Sequence, residues 1–228
     1  MPIESQGVQI RRQSTTAGST AQTIAATIAF TTVVGAGNDT ITRSDVGSFI
    51  VDGFTTAMRI ETDSTVNSTQ IFTPLTVAAT VMTVYETVVG QSSGISITLT
   101  GHSMEAIGTV TGFNGPSGSA GIIDISHLGS TAKEKQIGIR DEGQLSLDVI
   151  FDTNATALHT ALKDDRAART KRIFDIKFTD NGTAASQPSA FYLDAYVTGL
   201  SLTGAVDDVI KGSITLEITS SVHSIDAV

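Results

Sequence analysis

The chain has no cysteine and no tryptophan, and only four prolines in 228 residues. Without cysteine there is no disulfide framework, thiolate nucleophile or thiolate metal ligand, so stability is expected to come from packing and assembly. Without tryptophan, and with three tyrosines, the chain lacks the aromatic platforms that carbohydrate-binding surfaces use. Charged residues make up only 16%. No apolar run approaches membrane-spanning length. The opening MPIESQGVQIRRQS has no apolar core of a signal peptide, so a soluble protein made in a cytoplasm is expected.

Acid outweighs base: 23 Asp and Glu against 14 Lys and Arg give a net charge of −9 and a pI near 4.7. A reader of nucleic-acid sequence needs a basic face, which this balance argues against. A conduit that lets nucleic acid pass is compatible with it, because an acidic wall repels phosphate. Solubility alone is the competing account of the acidity.

Thr, Ser, Gly, Val and Ile dominate, a bias toward strands and tight turns. GQLSLDVIF sets Leu145, Leu147, Val149 and Phe151 against Ser146, Asp148 and Ile150. RIFDIKF sets Phe174, Ile176 and Phe178 against Ile173, Asp175 and Lys177. FYLDAYVTGLSLT and GSITLEITSSV alternate in the same way, the latter with Ile214, Leu216 and Ile218 against Thr215, Glu217 and Thr219. Period two over four segments predicts half-buried antiparallel strands.

Residues 23–101 read as a separate β unit. TIAATIAFTTVV is a strand or a short helix, NDTIT opens with a turn, GFTTAMRIET alternates, TQIFTPLTVAATVMTVYE offers two strands around a small-residue connection, and GISITLTG alternates again. Short strands with turns between them suggest a small barrel or sandwich. Six acidic residues against Arg43 and Arg59 leave this part at −4. Segment 154–172 breaks the pattern: Ala157, Leu158, Ala161 and Leu162 recur at helical spacing, Asn154 is a candidate N-cap, and basic residues crowd the far end. One amphipathic helix over 155–168 is expected.

Residues 105–151 give a strand, a Gly/Pro/Ser turn, a strand, a charged loop from His127 to Gly143, and a further strand. A long excursion of that kind is usually functional. The ordered series GTVTGFNGPSGSAGIIDISHLGSTAKEKQIGIRDEGQLSLDVIF, the helix, and AYVTGLSLTGAVDDVIKGSITLEITSSV resembles the major tail tube proteins of long-tailed (siphovirus-type) bacteriophages, and ESQGVQIRR resembles their first strand. The resemblance covers about residues 4–19 and 103–222. It implies a mainly β fold: a tail-tube β-sandwich with one α-helix and a long protruding loop, formed by 1–22 and 102–228. The departure from the family at 23–101 implies a small inserted β domain on the outer surface.

The same resemblance implies a structural virion protein, made in the host cytoplasm and carried in the tail. It forms hexameric rings that stack into a tube, meets tape-measure, terminator and distal tail proteins, and passes DNA without holding it. No membrane and no cofactor are expected. Ser130, Lys133, Glu134, Lys135, Arg140, Asp141 and Glu142 are the expected inter-ring loop residues. Asp148, Thr215, Glu217 and Thr219 are the candidate lumen residues, while Asp207 and Asp208 fit a turn better than a ring face. Another tail or secretion tube, a terminator ring, and a cell-surface adhesion or carbohydrate-binding module are the alternatives.

No catalytic or metal motif stands out. His102, His127, His159 and His223 are scattered with no HExxH-type spacing. His159 on the helix fits a surface or partly packed residue. GPSGSAG lacks the GK[ST] ending of a phosphate loop, and GHSMEAIG is no GxSxG elbow. Asp180 and the Asp164–Asp165 pair fit turn and helix-end roles. The basic cluster Lys163, Arg166, Arg169, Lys171 and Arg172 lacks interleaved aromatics, so contact between subunits explains it better than DNA.

Overall fold

The computed structural model describes residues 7–14, 22–33, 38–68, 70–108, 110–129, 131–151, 158–179, 188–206 and 209–225. The protein is mainly β, 55% strand and 5% helix, with antiparallel sheets consistent with a β-sandwich. The strands are β1 (Gln9–Gln13), β2 (Gln22–Thr31), β3 (Thr40–Arg43), β4 (Met58–Thr62), β5 (Pro74–Val77), β6 (Val81–Val84), β7 (Gln91–Ala106), β8 (Val110–Asn114), β9 (Ser119–Asp124), β10 (Lys135–Asp141) and β11 (Gln144–Ile150). After helix α1 (Leu158–Ala168) follow β12 (Arg172–Lys177), β13 (Ala190–Thr203), β14 (Lys211–Ile218) and β15 (His223–Ile225).

The chain divides into two compact units. The first comprises 1–106, 175–191 and 223–228; the second comprises 107–174 and 192–222. In the first, the strand order is β5-β6-β3-β2-β7-β1, with β4 also on β7. Its core follows from alternation: Ala26, Ile28 and Phe30 of β2 and Ile97 and Leu99 of β7 point inward. Ile41, Ile60, Met82 and Val84 join them, with Phe49, Phe54 and Phe72 supplied by the connections. Phe30 and Phe72 meet at 5.8 Å between ring centroids. Residues 23–31, TIAATIAFT, are therefore strand, their Ala content overridden by nonlocal pairing with β7.

In the second unit β13, β14, β11 and β8 are neighbours in that order. Leu145, Leu147, Val149, Ile214, Leu216 and Val197 are buried, as period two requires. Helix α1 buries Leu162; Asn154 and the expected first turn lie outside the described residues, as do Asp180, Asp207 and Asp208.

Three expectations need correcting. The stretch from His127 to Gly143 is no structureless loop: 135–141 is strand β10, paired in register with β9, Lys135 opposite Asp124 and Ile137 opposite Ile122. Its alternation is short and interrupted by Gly138, and its partner is supplied by the fold. β12, expected to be half-buried, is buried on both faces, and Asp175, on the face of Ile173 and Lys177, is fully buried with Arg11 and Arg59 bound to it. His159 is buried and stacks on Phe151 at 5.5 Å.

Candidate assembly surfaces

The second unit presents one polar sheet face. Leu145, Leu147 and Val149 turn inward, so Ser146 and Asp148 turn outward on β11. On β14, Ser213, Thr215 and Glu217 do the same while Ile214, Leu216 and Ile218 are buried. The register sets Asp148 opposite Ser213, Ser146 opposite Thr215, and Gln144 opposite Glu217. Gln144 Nε2 donates to Glu217 Oε2 at 2.8 Å. On the neighbouring strands, Gly112 faces Asp148 and Tyr196 faces Glu217. Three of the candidate lumen residues, Asp148, Thr215 and Glu217, thus share one face with short hydroxyl side chains. Ser146, which the alternation had already set beside Asp148, belongs to it too, and the pairing register adds Ser213 and Tyr196.

Thr219 comes two residues after Glu217, one step past the last paired residue of β14. It follows the end of β14, where its backbone N–H donates to Asp194 O at 2.9 Å. With Ile218, Ser220 and Ser221 it lines a cleft of about 410 Å³ whose other wall is Arg140, Asp141 and Glu142. Three expected loop residues therefore meet one expected lumen residue at the base of the β9–β10 hairpin.

That hairpin is built around Asp124 and Ser126. The Ser126 hydroxyl and backbone N–H hold the Asp124 carboxyl below its usual range. Ile125 N–H donates to Glu134 O at 3.0 Å and Glu134 N–H to Ser126 Oγ at 2.9 Å, closing the ribbon before its turn. Lys133, Glu134 and Lys135 are exposed at the turn end. At the base Arg140 pairs with Glu142, and Asp141 Oδ1 accepts the Gly143 N–H at 2.9 Å. Ser130 lies outside the described residues.

The ribbon is apolar where it is most exposed. Ile122, Ile123, Ile125 and Ile137 are open to water, with Ile139 at 95% and Leu128 at 110% of full exposure. These six side chains were missed in the sequence. The signal of the five isoleucines was there, in GIIDI and QIGI, and was hidden by the charges around them. A two-stranded ribbon is marginal by itself, and apolar side chains exposed on both its faces are surface that association with a partner would bury.

The other described residues offer little chemistry. Among the described residues no cluster of three or more His, Cys, Asp or Glu side chains could hold a metal ion. His102 bridges Gln13 and Glu61 at 3.1 and 3.3 Å through its two ring nitrogens. No described helix is long and apolar enough to cross a membrane.

The model of the phage tail tube family of lambda-like type matches residues 96–227. No curated protein matches the chain. The matched segment contains the polar face, the cleft, the apolar ribbon and α1. Family membership carries a structural rather than enzymatic role, a place in the virion tail, and assembly with itself and with other tail proteins. A match over more than half its length, on a mainly β fold, shows that the chain belongs to the lambda-like phage tail tube family.

Proposed function

We propose that the chain forms hexameric rings that stack into the tube through which DNA is ejected. The observation that carries this reading is the β9–β10 ribbon, whose Ile122, Ile137, Ile139 and Leu128 stand in water in a single copy. Burying them against copies of the same chain removes that apolar surface from solvent. A repeated contact between different patches either closes into a ring or runs on as a filament, and a stacked tube uses both. β8, at the end of the second unit's strand order, supplies a free edge of the kind that ring closure pairs.

On this reading Ser130, Lys133, Glu134, Lys135, Arg140, Asp141 and Glu142 meet the adjacent ring. Asp148, Thr215, Glu217 and Thr219 face the bore, where carboxylates and hydroxyls give phosphate nothing to hold. Residues 23–101 form the inserted domain on the outer wall, because inside the bore they would obstruct DNA. Their continuous apolar core supports an independent module, although the compact unit that contains them also takes in β1 and 175–191. Tape-measure, terminator and distal tail proteins are the other contacts, and synthesis takes place in the host cytoplasm.

Negative-stain microscopy of the purified chain tests the assembly: six-fold rings or tubes are expected, and isolated particles at every concentration would overturn it. Changing Asp148 and Glu217 together to Lys tests the bore. Ejection slows through phosphate attraction while tubes still form; unchanged ejection kinetics would remove these residues from the lumen.

A further inference from the structure

Helix α1 ends in a conformation that its residue disfavours. Arg169 has a φ of 53°. The Thr170 N–H donates to Asp165 O at 3.0 Å and the Arg169 N–H to Arg166 O at 3.3 Å. Those two bonds make the helix stop in which glycine normally occupies the left-handed position. A residue with a Cβ is strained there. A cation near a helix C-terminus is favourable, yet Arg166 in the last turn already supplies one. The dipole therefore gives no reason to prefer arginine over glycine at 169.

The surroundings do. Segment 163–172 carries five of the 14 basic residues and two acids, a net of +3 in a chain of −9, so the remaining residues carry −12. Two of the five are engaged within the unit: Arg172 Nε donates to Asp165 at 2.9 Å and Lys171 Nζ to Asp194 at 2.8 Å. Lys163, Arg166 and Arg169 are exposed, with the small side chains of Ala167 and Ala168 beside them.

We propose that Lys163, Arg166 and Arg169 form a ridge that docks on the acidic surface of a second copy of the chain, and that arginine is kept at a strained position for this contact. The −12 outside the segment supplies the opposite charge. Ridge against ridge would repel, so the contact joins different patches and propagates. A single-stranded nucleic acid would use stacking aromatics, and the segment has none. The inference rests on the self-assembly reading and assigns it a salt-sensitive contact separate from the apolar ribbon.

The test is sedimentation velocity and thermal unfolding of the full chain as wild type, Arg169→Gly, Arg169→Lys and the double variant Lys163→Ala, Arg166→Ala, in 50 and 500 mM NaCl. Arg169→Gly raises Tm by about 2–4 °C through relief of strain, yet weakens self-association about tenfold at low salt. Arg169→Lys keeps association within about twofold of wild type, and high salt weakens wild type more than the double variant. Arg169→Gly and the double variant associating like wild type would overturn the inference. If in that case changing Ile137 and Ile139 to Thr abolishes association in all of them, the inference falls and the assembly reading stands. No association of wild type at any concentration overturns both. Binding of a 20-base-pair DNA duplex that Arg169→Gly abolishes would replace the second copy with nucleic acid.

Discussion

Arg59 and Asp175 stand 3.3 Å apart, Nε to Oδ2, with both side chains shut away from water. Arg11 Nε donates to the other oxygen of the same carboxylate at 2.8 Å, and Arg59 Nη1 goes on to Thr73 Oγ1 at 2.5 Å. Burial holds the Arg59 guanidinium below its ordinary pKa, against the pull of Asp175. Two guanidinium groups thus share one buried carboxylate.

Asp175→Asn is therefore expected to cost about 3–5 kcal/mol, since it leaves Arg11 and Arg59 without their shared anion. Urea unfolding of the full chain measures it. A loss below about 1 kcal/mol would show that the cations find water or another acid.

The same cluster bears on pH. The Lys177 ammonium is held below its ordinary value of 10.5, by burial first and then by Arg11 and Arg59. The unfolded chain therefore binds more protons than the folded one between the folded pKa and 10.5. The penalty is fully present below the folded pKa and fades as pH rises toward 10.5. Lys177→Met is expected to melt above wild type at pH 7, with the gap narrowing by pH 10. A gap that widens with pH would contradict the sign.

The base of the ribbon turns on Gly143, with φ 69°. An added Cβ would lie 2.6 Å from Ser117 O, while Ser117 Oγ also accepts the Gln144 N–H at 3.2 Å. Gly143→Ala combines a left-handed backbone with a clash against main chain, for an expected loss of about 2–3 kcal/mol in the same urea assay. Stability within about 0.5 kcal/mol of wild type would mean that the turn relaxes freely.

Removing 131–140 alone would strip β9 of its partner, so the ribbon has to be tested whole. Replacing 120–140 by a short turn is expected to leave a cooperative thermal transition and abolish tubes under the microscope. The milder pair Ile137→Thr and Ile139→Thr changes exposed positions, so stability stays within about 0.5 kcal/mol while tubes are lost. Normal tubes from either variant would remove the ribbon from the assembly.

How far the fold was legible follows from where each strand finds its partners. β11 and β14 read correctly because their alternation is local: Leu145, Leu147 and Val149 against Ser146 and Asp148 need only the pleat. The β11 and β14 side of the polar face was therefore visible in Ser146, Asp148, Thr215 and Glu217, while Ser213 and Tyr196 needed the register. β12 was misread at Asp175, whose partners lie 164 and 116 residues away. β10 was taken for loop because Gly138 and flanking charges break a short pattern that pairing with β9 completes.

The amino-acid sequence by itself determined the strand alternations, the acid excess, the absence of thiol chemistry and the family resemblance, all of which follow from residue type and near-neighbour spacing. Only the tertiary structure decided that Asp175 is buried between arginines, that Ile137 and Ile139 stand on a paired ribbon in water, and that Arg169 sits in a left-handed turn. Those facts depend on register and burial, which distant parts of the chain impose on one another.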